Sequence, residues 1–273
     1  MTIGRRVYGL AAIVLGIPGL IFGSFAMLGQ PVPTHLPFYQ PLLYASCGLL
    51  ILAGPAACLE RTAAIGSLAL AAFFALFLVV LDLPFVVSQP TVWVTYENIA
   101  ENVVKLLGGL LAWTWAARAG EARAAAAIMR VARPLFGACL IVFGISELVY
   151  AGFTASMVPA WLPPSQLFWA YATGACQIAA GLAVASGIKA RLAAILLTVM
   201  YLGFGLLVHL PRVIADPSGA MAWAENGTNL VLAGAAWVLA DSLARVARPN
   251  PSHPPDPRGR LPLDSLSPRG MRR

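Results

Sequence analysis

Eight apolar segments, each about 20 residues long, constrain the fold of this chain more than any other feature of its sequence. An α-helix rises about 1.5 Å per residue, so a segment of this length crosses the hydrocarbon of a bilayer. Charged residues make up only 11% of the 273 residues, whereas soluble domains carry roughly 25%. The sequence therefore predicts an all-α integral membrane protein whose eight transmembrane helices occupy residues 7–28, 41–59, 62–81, 98–117, 134–155, 167–186, 192–210 and 226–243.

The distribution of basic residues predicts the orientation of these helices. All of the 18 Lys and Arg residues except Lys105 and Arg212 fall on one side of the eight-span arrangement. The positive-inside rule then places both termini in the cytoplasm of a multi-pass protein in the cytoplasmic, or inner, cell membrane. We attribute the net charge of +7 to this topology and to contacts with anionic lipids, so the predicted partner is the lipid bilayer and not nucleic acid.

A proline-rich sequence occurs twice, as VPTHLPFYQ at residues 32–40 and as VPAWLPPSQ at residues 158–166. Other matches follow at nearly the same offset, which indicates an internal duplication with small insertions. Because each copy contains an even number of predicted spans, the copies form parallel repeats. The predicted domains are a first four-helix repeat at 1–117, a cytoplasmic basic linker at 118–133, a second four-helix repeat at 134–247 and a disordered, Pro/Arg-rich cytoplasmic tail at 248–273.

The second copy continues as VPAWLPPSQLFWAYATGACQIAAGLAVASGIKARLAAILL, followed by VHLP. A first helix, a P-x-x-L-P loop, a G-x-x-x-x-x-A-G segment and a basic turn before L-A-A resemble the DoxX-like family of four-helix membrane proteins. The first copy, with VPTHLPFYQPLLYASCGLLILAG, is more diverged, so the chain resembles a fused tandem of that family. The resemblance implies a four-helix bundle for each copy. It also implies a link to redox chemistry, because some relatives are membrane subunits of quinone-linked sulfur oxidation and others associate with redox-defence complexes.

Ionisable residues inside apolar segments are the best candidates for a functional site, because they are energetically costly in a membrane. Glu147 lies about 13 residues into the fifth predicted span, which places it about 20 Å from the cytoplasmic end, in the outer half of the bilayer. We predict a ligand or proton site there, and the alternative is a structural hydrogen bond to a neighbouring helix. Glu101 and Lys105 are four residues apart, the spacing of a side-chain pair on one helix face. The alternative is that Lys105 reaches Glu147 or Asp82.

Further polar candidates fall near the outer ends of the predicted helices. Asp82 and His209 occupy equivalent positions in the two copies, each before Leu-Pro, and His35 lies in the first proline-rich loop. They are candidate pocket or proton sites, or simply polar helix ends at the interface. Glu97 and Glu225 begin the fourth and eighth predicted spans, where the helix dipole favours an acid.

Four tryptophans, Trp93, Trp161, Trp169 and Trp223, lie at or near the same outer face. Aromatic belts of this kind are common in membrane proteins, and the alternative is a set of walls around a flat ring such as a quinone. We therefore expect any pocket to open outward, between helix ends beneath the proline-rich loops.

The chain contains no H-E-x-x-H, G-x-x-x-x-G-K-[ST], G-x-G-x-x-G or C-x-x-C sequence, and no metal site is predicted. Whether the chain catalyses a reaction is left open at this point. The first function hypothesis is a membrane subunit that handles quinone, or that docks a redox partner protein to the quinone pool, with quinone as the possible cofactor. The second is a protein that binds or transports a small hydrophobic or lipid-like molecule, and the third is a membrane scaffold without a ligand.

Overall fold

The computed structural model describes residues 3–25, 32, 34–116 and 121–246, and all regular structure in these ranges is helical. Residues of the predicted tail, 248–273, lie outside the described part of the chain. The helices are α1 (Ile3–Phe22), α2 (Tyr39–Cys58), α3 (Ala63–Phe77), α4 (Leu83–Ser88), α5 (Val94–Ala116), α6 (Ala122–Val149), α7 (Ala151–Met157), α8 (Gln166–Ser186), α9 (Ala190–Phe204), α10 (Leu210–Ala215) and α11 (Ala220–Val246).

Seven helical stretches are long and apolar enough to cross a membrane, which confirms the prediction of an all-α, multi-pass membrane protein. They are Ile3–Phe22, Tyr39–Cys58, Ala63–Ser88, Arg123–Val149, Gln166–Ser186, Ala190–Ala215 and Ala220–Arg245. The remaining predicted span, 98–117, falls on α5, which is not among the seven. This helix carries Glu97, Glu101 and Lys105, which make it more polar than the other long helices.

The C-terminal part of helix α5 nevertheless lies parallel to α11 and in contact with it. A Cβ atom on Gly108 would lie 2.7 Å from the Cβ of Ala235. Six residues further along α5 and ten further along α11, the Arg245 guanidinium donates a hydrogen bond to the carbonyl oxygen of Thr114 at 3.0 Å. With 23 residues, α5 is about 35 Å long, the length of a membrane-crossing helix.

The helix that corresponds to the fifth predicted span begins and ends earlier in the sequence than the hydropathy pattern indicates. Helix α6 starts at Ala122, so residues 122–133 of the predicted linker form the first turns of the same helix. It ends at Val149, and the short helix α7 follows after Tyr150. Proline at position 134 falls within α6, and it does not end the helix.

Glycine residues allow very close approach between two pairs of helices. In α6 and α8, a Cβ on Gly137 would lie 2.5 Å from the carbonyl oxygen of Gly181. In α1 and α2, a Cβ on Gly9 would lie 2.5 Å from the carbonyl oxygen of Gly54. Small residues at helix contacts are the usual way in which membrane helices gain packing, since apolar side chains gain little by leaving lipid for protein.

Two helices contain a π-helical turn just before a Leu-Pro pair. Residues Leu78–Asp82 link α3 to α4, and residues Gly205–His209 link α9 to α10. The two turns lie 127 residues apart, counted from Asp82 to His209. A π-helical turn rotates the following side chains relative to a regular helix and is often found at functional sites.

Helices α1–α5 form the first half of the described chain and α6–α11 the second half, and the first helix of each half packs against the last helix of the other. Helix α1 runs antiparallel to α11, so that a Cβ on Gly234 would touch Tyr8 and a Cβ on Gly227 would touch Leu15. Helix α5 packs against α6, with the amide of Val94 donating to the Tyr150 hydroxyl at 3.3 Å. The first and the last helix of each half therefore both contribute to the contact between the halves.

Candidate functional site

A cavity of about 770 Å³ lies at the end of the bundle that carries the second proline-rich loop. Its walls come from α5, α6, α7, α8, α9, the second π-helical turn and α11. Val158, Pro159 and Leu162 of the proline-rich loop close one side. Most of the wall is apolar, and the polar groups are concentrated on a few side chains. The cavity therefore uses one helix of the first half and nearly all of the second.

Glu147, in the last turn of α6, lines this cavity and accepts hydrogen bonds from two side chains of α8. One carboxyl oxygen accepts from the hydroxyl of Thr173, and the other accepts from the amide of Gln177. Thr173 and Gln177 are four residues apart and so share one face of α8. The Tyr201 hydroxyl of α9 donates in turn to Gln177 at 3.4 Å, which links three helices through polar groups.

Glu97 brings a second carboxyl group to the same cavity from α5. It accepts a hydrogen bond from the hydroxyl of Ser146, the residue before Glu147. Glu97 lies in the first turn of α5, where the helix dipole was expected to favour it, but its side chain also joins α5 to α6. Two carboxyl groups from different helices therefore line the same cavity, with Ser146 of α6 joining them in the chain.

Glu101 and Lys105 form the predicted i,i+4 pair, with the Lys105 Nζ 3.3 Å from Glu101 Oε2. Glu101 lines the cavity and is 24% exposed, whereas Lys105 is 1% exposed and lies behind it. The ammonium group also lies 5.6 Å from the ring centroid of Phe74. Lys105 therefore contacts the cavity only through its partner carboxylate.

His209 lies in the second π-helical turn and lines the cavity, with its Nδ1 4.0 Å from Glu225 Oε2. Glu225 also lines the cavity and accepts a hydrogen bond from the Arg212 guanidinium. The expectation that Glu225 interacts with a helix N-terminus is wrong, because α11 begins at Ala220 and has no acid in its first turn. The residue is instead held in an ion pair.

Two of the predicted polar candidates lie away from this cavity. Asp82 is buried in the first π-helical turn, where its carboxylate accepts a hydrogen bond from Asn102 at 2.6 Å. His35 lies exposed in the first proline-rich loop. The first loop contributes no wall to the cavity through its described residues 32 and 34–38.

Of the four candidate aromatic walls, Trp169 lines the cavity, with its indole N–H donating to the carbonyl oxygen of Pro163 at 2.8 Å. Trp161 is 71% exposed, as expected for an anchor at the membrane interface. Trp223 donates to the carbonyl oxygen of Pro217 at 3.0 Å, and Trp93 stacks on Tyr96 with ring centroids 5.6 Å apart. These last two tryptophans are not part of the cavity wall.

Several polar residues that build this site were not predicted from the sequence. The missed residues are Ser146, Thr173, Gln177, Tyr201 and Asn229, all of which line the cavity. Their signal is polarity within otherwise apolar helices, most clearly the pair Thr173 and Gln177 at i,i+4 spacing. In the described part of the chain, no group of three or more His, Cys, Asp and Glu residues is arranged to hold a metal ion.

Comparison with known protein families gives one match: residues 128–210 match the model of the DoxX family. No curated protein and no solved structure matches the chain. The matched segment includes Glu147, Thr173, Gln177 and His209, whereas α5 and α11, which complete the cavity, lie outside it. Within this multi-pass membrane protein, residues 128–210 are therefore similar to the DoxX family.

Proposed function

We propose that this protein binds a small, largely apolar molecule in the cavity between α5 and the segment similar to the DoxX family. The observation that carries the proposal is the cavity itself: about 770 Å³, with apolar walls and a few convergent polar groups. Binding sites for small molecules have this character and volumes of roughly 300–1,000 Å³. The apolar body of a ligand would contact Phe143, Met200 and Leu232, while its polar group would meet Glu97 and Glu147.

A cavity-filling substitution tests this function. Gly203 lines the cavity, and a Cβ built on it meets no atom within 4 Å, so Gly203→Trp should fill space without displacing a helix. Gly48→Trp is the matched control, because Gly48 is also helical with open space around its Cβ and lies outside the cavity. We expect mass spectrometry of molecules that co-purify in mild detergent to find a ligand with the wild type and the control and to find it lost with Gly203→Trp.

The same comparison separates the remaining interpretations. A ligand that is retained by Gly203→Trp would contradict the proposed site. Ordinary membrane lipids alone, in identical amounts in all three proteins, would contradict ligand binding and favour the scaffold. Glu147→Gln, added as a fourth protein, reports whether the carboxyl group contributes to retention of the ligand.

The second candidate is the quinone-linked redox role that the DoxX resemblance implies. Reduction of a quinone to a quinol takes up two electrons and two protons, so the site must exchange protons with the ring oxygens. The carboxyl groups of Glu147 and Glu97 can carry protons, Gln177 holds Glu147 by a hydrogen bond, and Trp169 supplies a flat wall. The electrons would come from a redox partner protein. Recovery of a quinone in the mass-spectrometry experiment would favour this role.

We also propose that α5 is an eighth span, which places both termini in the cytoplasm. The parallel contact of α5 with α11 supports this arrangement, because α11 is one of the seven apolar spans. The test uses a cysteine-free background in intact cells. Gln89→Cys, before α5, should react with a membrane-impermeant maleimide, whereas Arg123→Cys, after α5, should not; both residues are exposed. Equal labelling of the two positions would show that α5 does not cross.

The two halves are further proposed to be parallel repeats of one four-helix unit. Each half contains a glycine-to-glycine helix contact, at Gly9 with Gly54 and at Gly137 with Gly181. Each also contains a π-helical turn before Leu-Pro. These recurring features support the duplication indicated by the repeated proline-rich sequence.

A further inference from the structure

The carboxyl groups that line the cavity outnumber the basic side chains that pair with them. Four carboxyl groups line it, and two of these have a basic partner: Glu101 pairs with Lys105 at 3.3 Å, and Glu225 pairs with Arg212. His209 lies beside the second pair, 4.0 Å from Glu225. The basic side chains near the cavity therefore all pair with the same two of the four carboxyl groups.

Glu97 and Glu147 are the two acids that remain. Their described hydrogen-bond donors are all neutral: Ser146 for Glu97, and Thr173 with Gln177 for Glu147. Within residues 3–25, 32, 34–116 and 121–246, no Lys, Arg or His side chain lies within 4.0 Å of either carboxyl group. An ionised carboxylate can accept about four hydrogen bonds, so both retain free acceptor capacity on the side of the cavity.

Their surroundings make a cation the ligand group that fits best. A carboxylate that is removed from water is stabilised chiefly by an opposite charge, and neutral donors compensate only part of the lost hydration. Two such groups in one cavity also repel each other, and a cation placed between them reduces this repulsion. The apolar part of the lining, which includes Phe153, Met200 and Leu207, suits an apolar body and not a hydrated inorganic ion.

We propose that the ligand of this cavity is a lipophilic organic cation. Its charged group lies between Glu97 and Glu147, and its apolar body contacts the apolar part of the lining. This assignment rests on the proposed ligand-binding function and names its ligand class. A protonated amine with an aromatic or branched aliphatic body has the required chemistry. The same ammonium chemistry occurs in the headgroup of phosphatidylethanolamine, so the test must separate a free amine from this lipid.

The probe is radiolabelled tetraphenylphosphonium, a permanently charged lipophilic cation, which is displaced from the purified full-length protein in a neutral detergent. Its competitor is triphenylphosphine oxide, which is neutral and of similar shape; tetraphenylborate, the anionic analogue, is tested for direct binding in a separate sample, because it would pair with the cationic probe. We expect unlabelled tetraphenylphosphonium to compete at least tenfold better than the neutral compound, and the anion not to bind. Because this comparison uses the wild type, it does not depend on the folding of any variant.

Substitutions then locate the charge selectivity. Glu97→Gln and Glu147→Gln should each weaken binding of the cation about tenfold, equivalent to about 1.4 kcal/mol, and should leave binding of the neutral compound unchanged. Glu60→Gln is the control, because Glu60 is exposed in the turn after α2 and lies outside the cavity. Equal affinity for the cation and the neutral compound, unaffected by these variants, would overturn the cation assignment but leave ligand binding intact. Failure of all three compounds to bind, with no effect of Gly203→Trp, would instead contradict the proposed function.

Reconstitution separates the two sources of the ammonium group. In nanodiscs of digalactosyldiacylglycerol, a neutral lipid without an ammonium group, added phosphatidylethanolamine should lower the apparent affinity for tetraphenylphosphonium if this lipid occupies the site. An unchanged affinity assigns the site to a free amine. Both results agree with a cation site, whereas preferential displacement of the probe by a neutral quinone would overturn it.

Discussion

Replacement of Glu101 by leucine is expected to lower the free energy of unfolding by about 3–5 kcal/mol, since it leaves a buried ammonium group without its charged partner. Lys105 is 1% exposed, and its Nζ lies 3.3 Å from Glu101 Oε2. The ring of Phe74, 5.6 Å away, offers a cation–π contact of about 0.5–2 kcal/mol, which is too weak to replace the carboxylate. Unfolding by denaturant in detergent micelles, followed by tryptophan fluorescence, measures the change.

The reciprocal substitution, Lys105→Met, should have a smaller effect, because Glu101 is 24% exposed and can be hydrated from the cavity. The double variant Glu101→Leu/Lys105→Met should recover to within about 1 kcal/mol of the wild type, since apolar side chains commonly replace a buried ion pair without loss of stability. A double variant as unstable as Glu101→Leu alone would contradict this explanation. A Glu101→Leu single variant as stable as the wild type would contradict the prediction that Lys105 depends on this carboxylate.

Substitution of Gly144 by valine is expected to separate α6 from α8 and to abolish ligand binding. A Cβ on Gly144 would lie 2.5 Å from the carbonyl oxygen of Gly174 and 2.6 Å from Cγ1 of Ile178. Because one of these atoms belongs to the backbone, the helices must move apart, at a cost near the upper end of the range of overpacked cores, about 3 kcal/mol. Thr173 precedes Gly174, and Glu147 lies one turn beyond Gly144, so the same movement draws the carboxyl group away from its donors.

Gly48→Val is the control for this prediction, because its Cβ would meet no atom within 4 Å. Its stability should stay within about 0.5 kcal/mol of the wild type, as expected from the similar helix propensities of glycine and valine. Stability and binding of the tetraphenylphosphonium probe are measured on both variants. If Gly144→Val retains both, the close contact of α6 with α8 does not position the site.

Hydropathy predicted most helices well, because backbone groups in hydrocarbon must be paired within a helix. The second predicted span, 41–59, corresponds to Tyr39–Cys58, and the sixth, 167–186, corresponds to Gln166–Ser186. The boundaries of the fifth span were less accurate. An amphipathic, Ala- and Arg-rich stretch continues α6 towards the N-terminus, and average hydropathy does not distinguish this continuation from a separate linker.

The candidate site was predictable only in part, because sequence indicates the depth of a residue in the membrane better than the direction in which it points. Glu147, Glu101 and His209 line the cavity, but Asp82, which occupies the position equivalent to His209, does not. Trp169 lines the cavity and Trp161 does not. The direction of each side chain depends on which helices pack together, and in particular on the contact of α5 with α6 across the two halves. No local pattern in the sequence encodes that contact.

The packing of α1 against α11 also has a consequence for the synthesis of the chain. Ribosomes make α1 first and α11 last among the described helices, yet Tyr8 and Leu15 of α1 pack directly on Gly234 and Gly227 of α11. The Tyr8 hydroxyl also donates to the carbonyl oxygen of Lys105 in α5, but the rest of this face of α1 is covered only when the final helix has been inserted. The last helix completes the packing of the first half as well as of the second, so a chain that is interrupted before α11 leaves both halves unfinished.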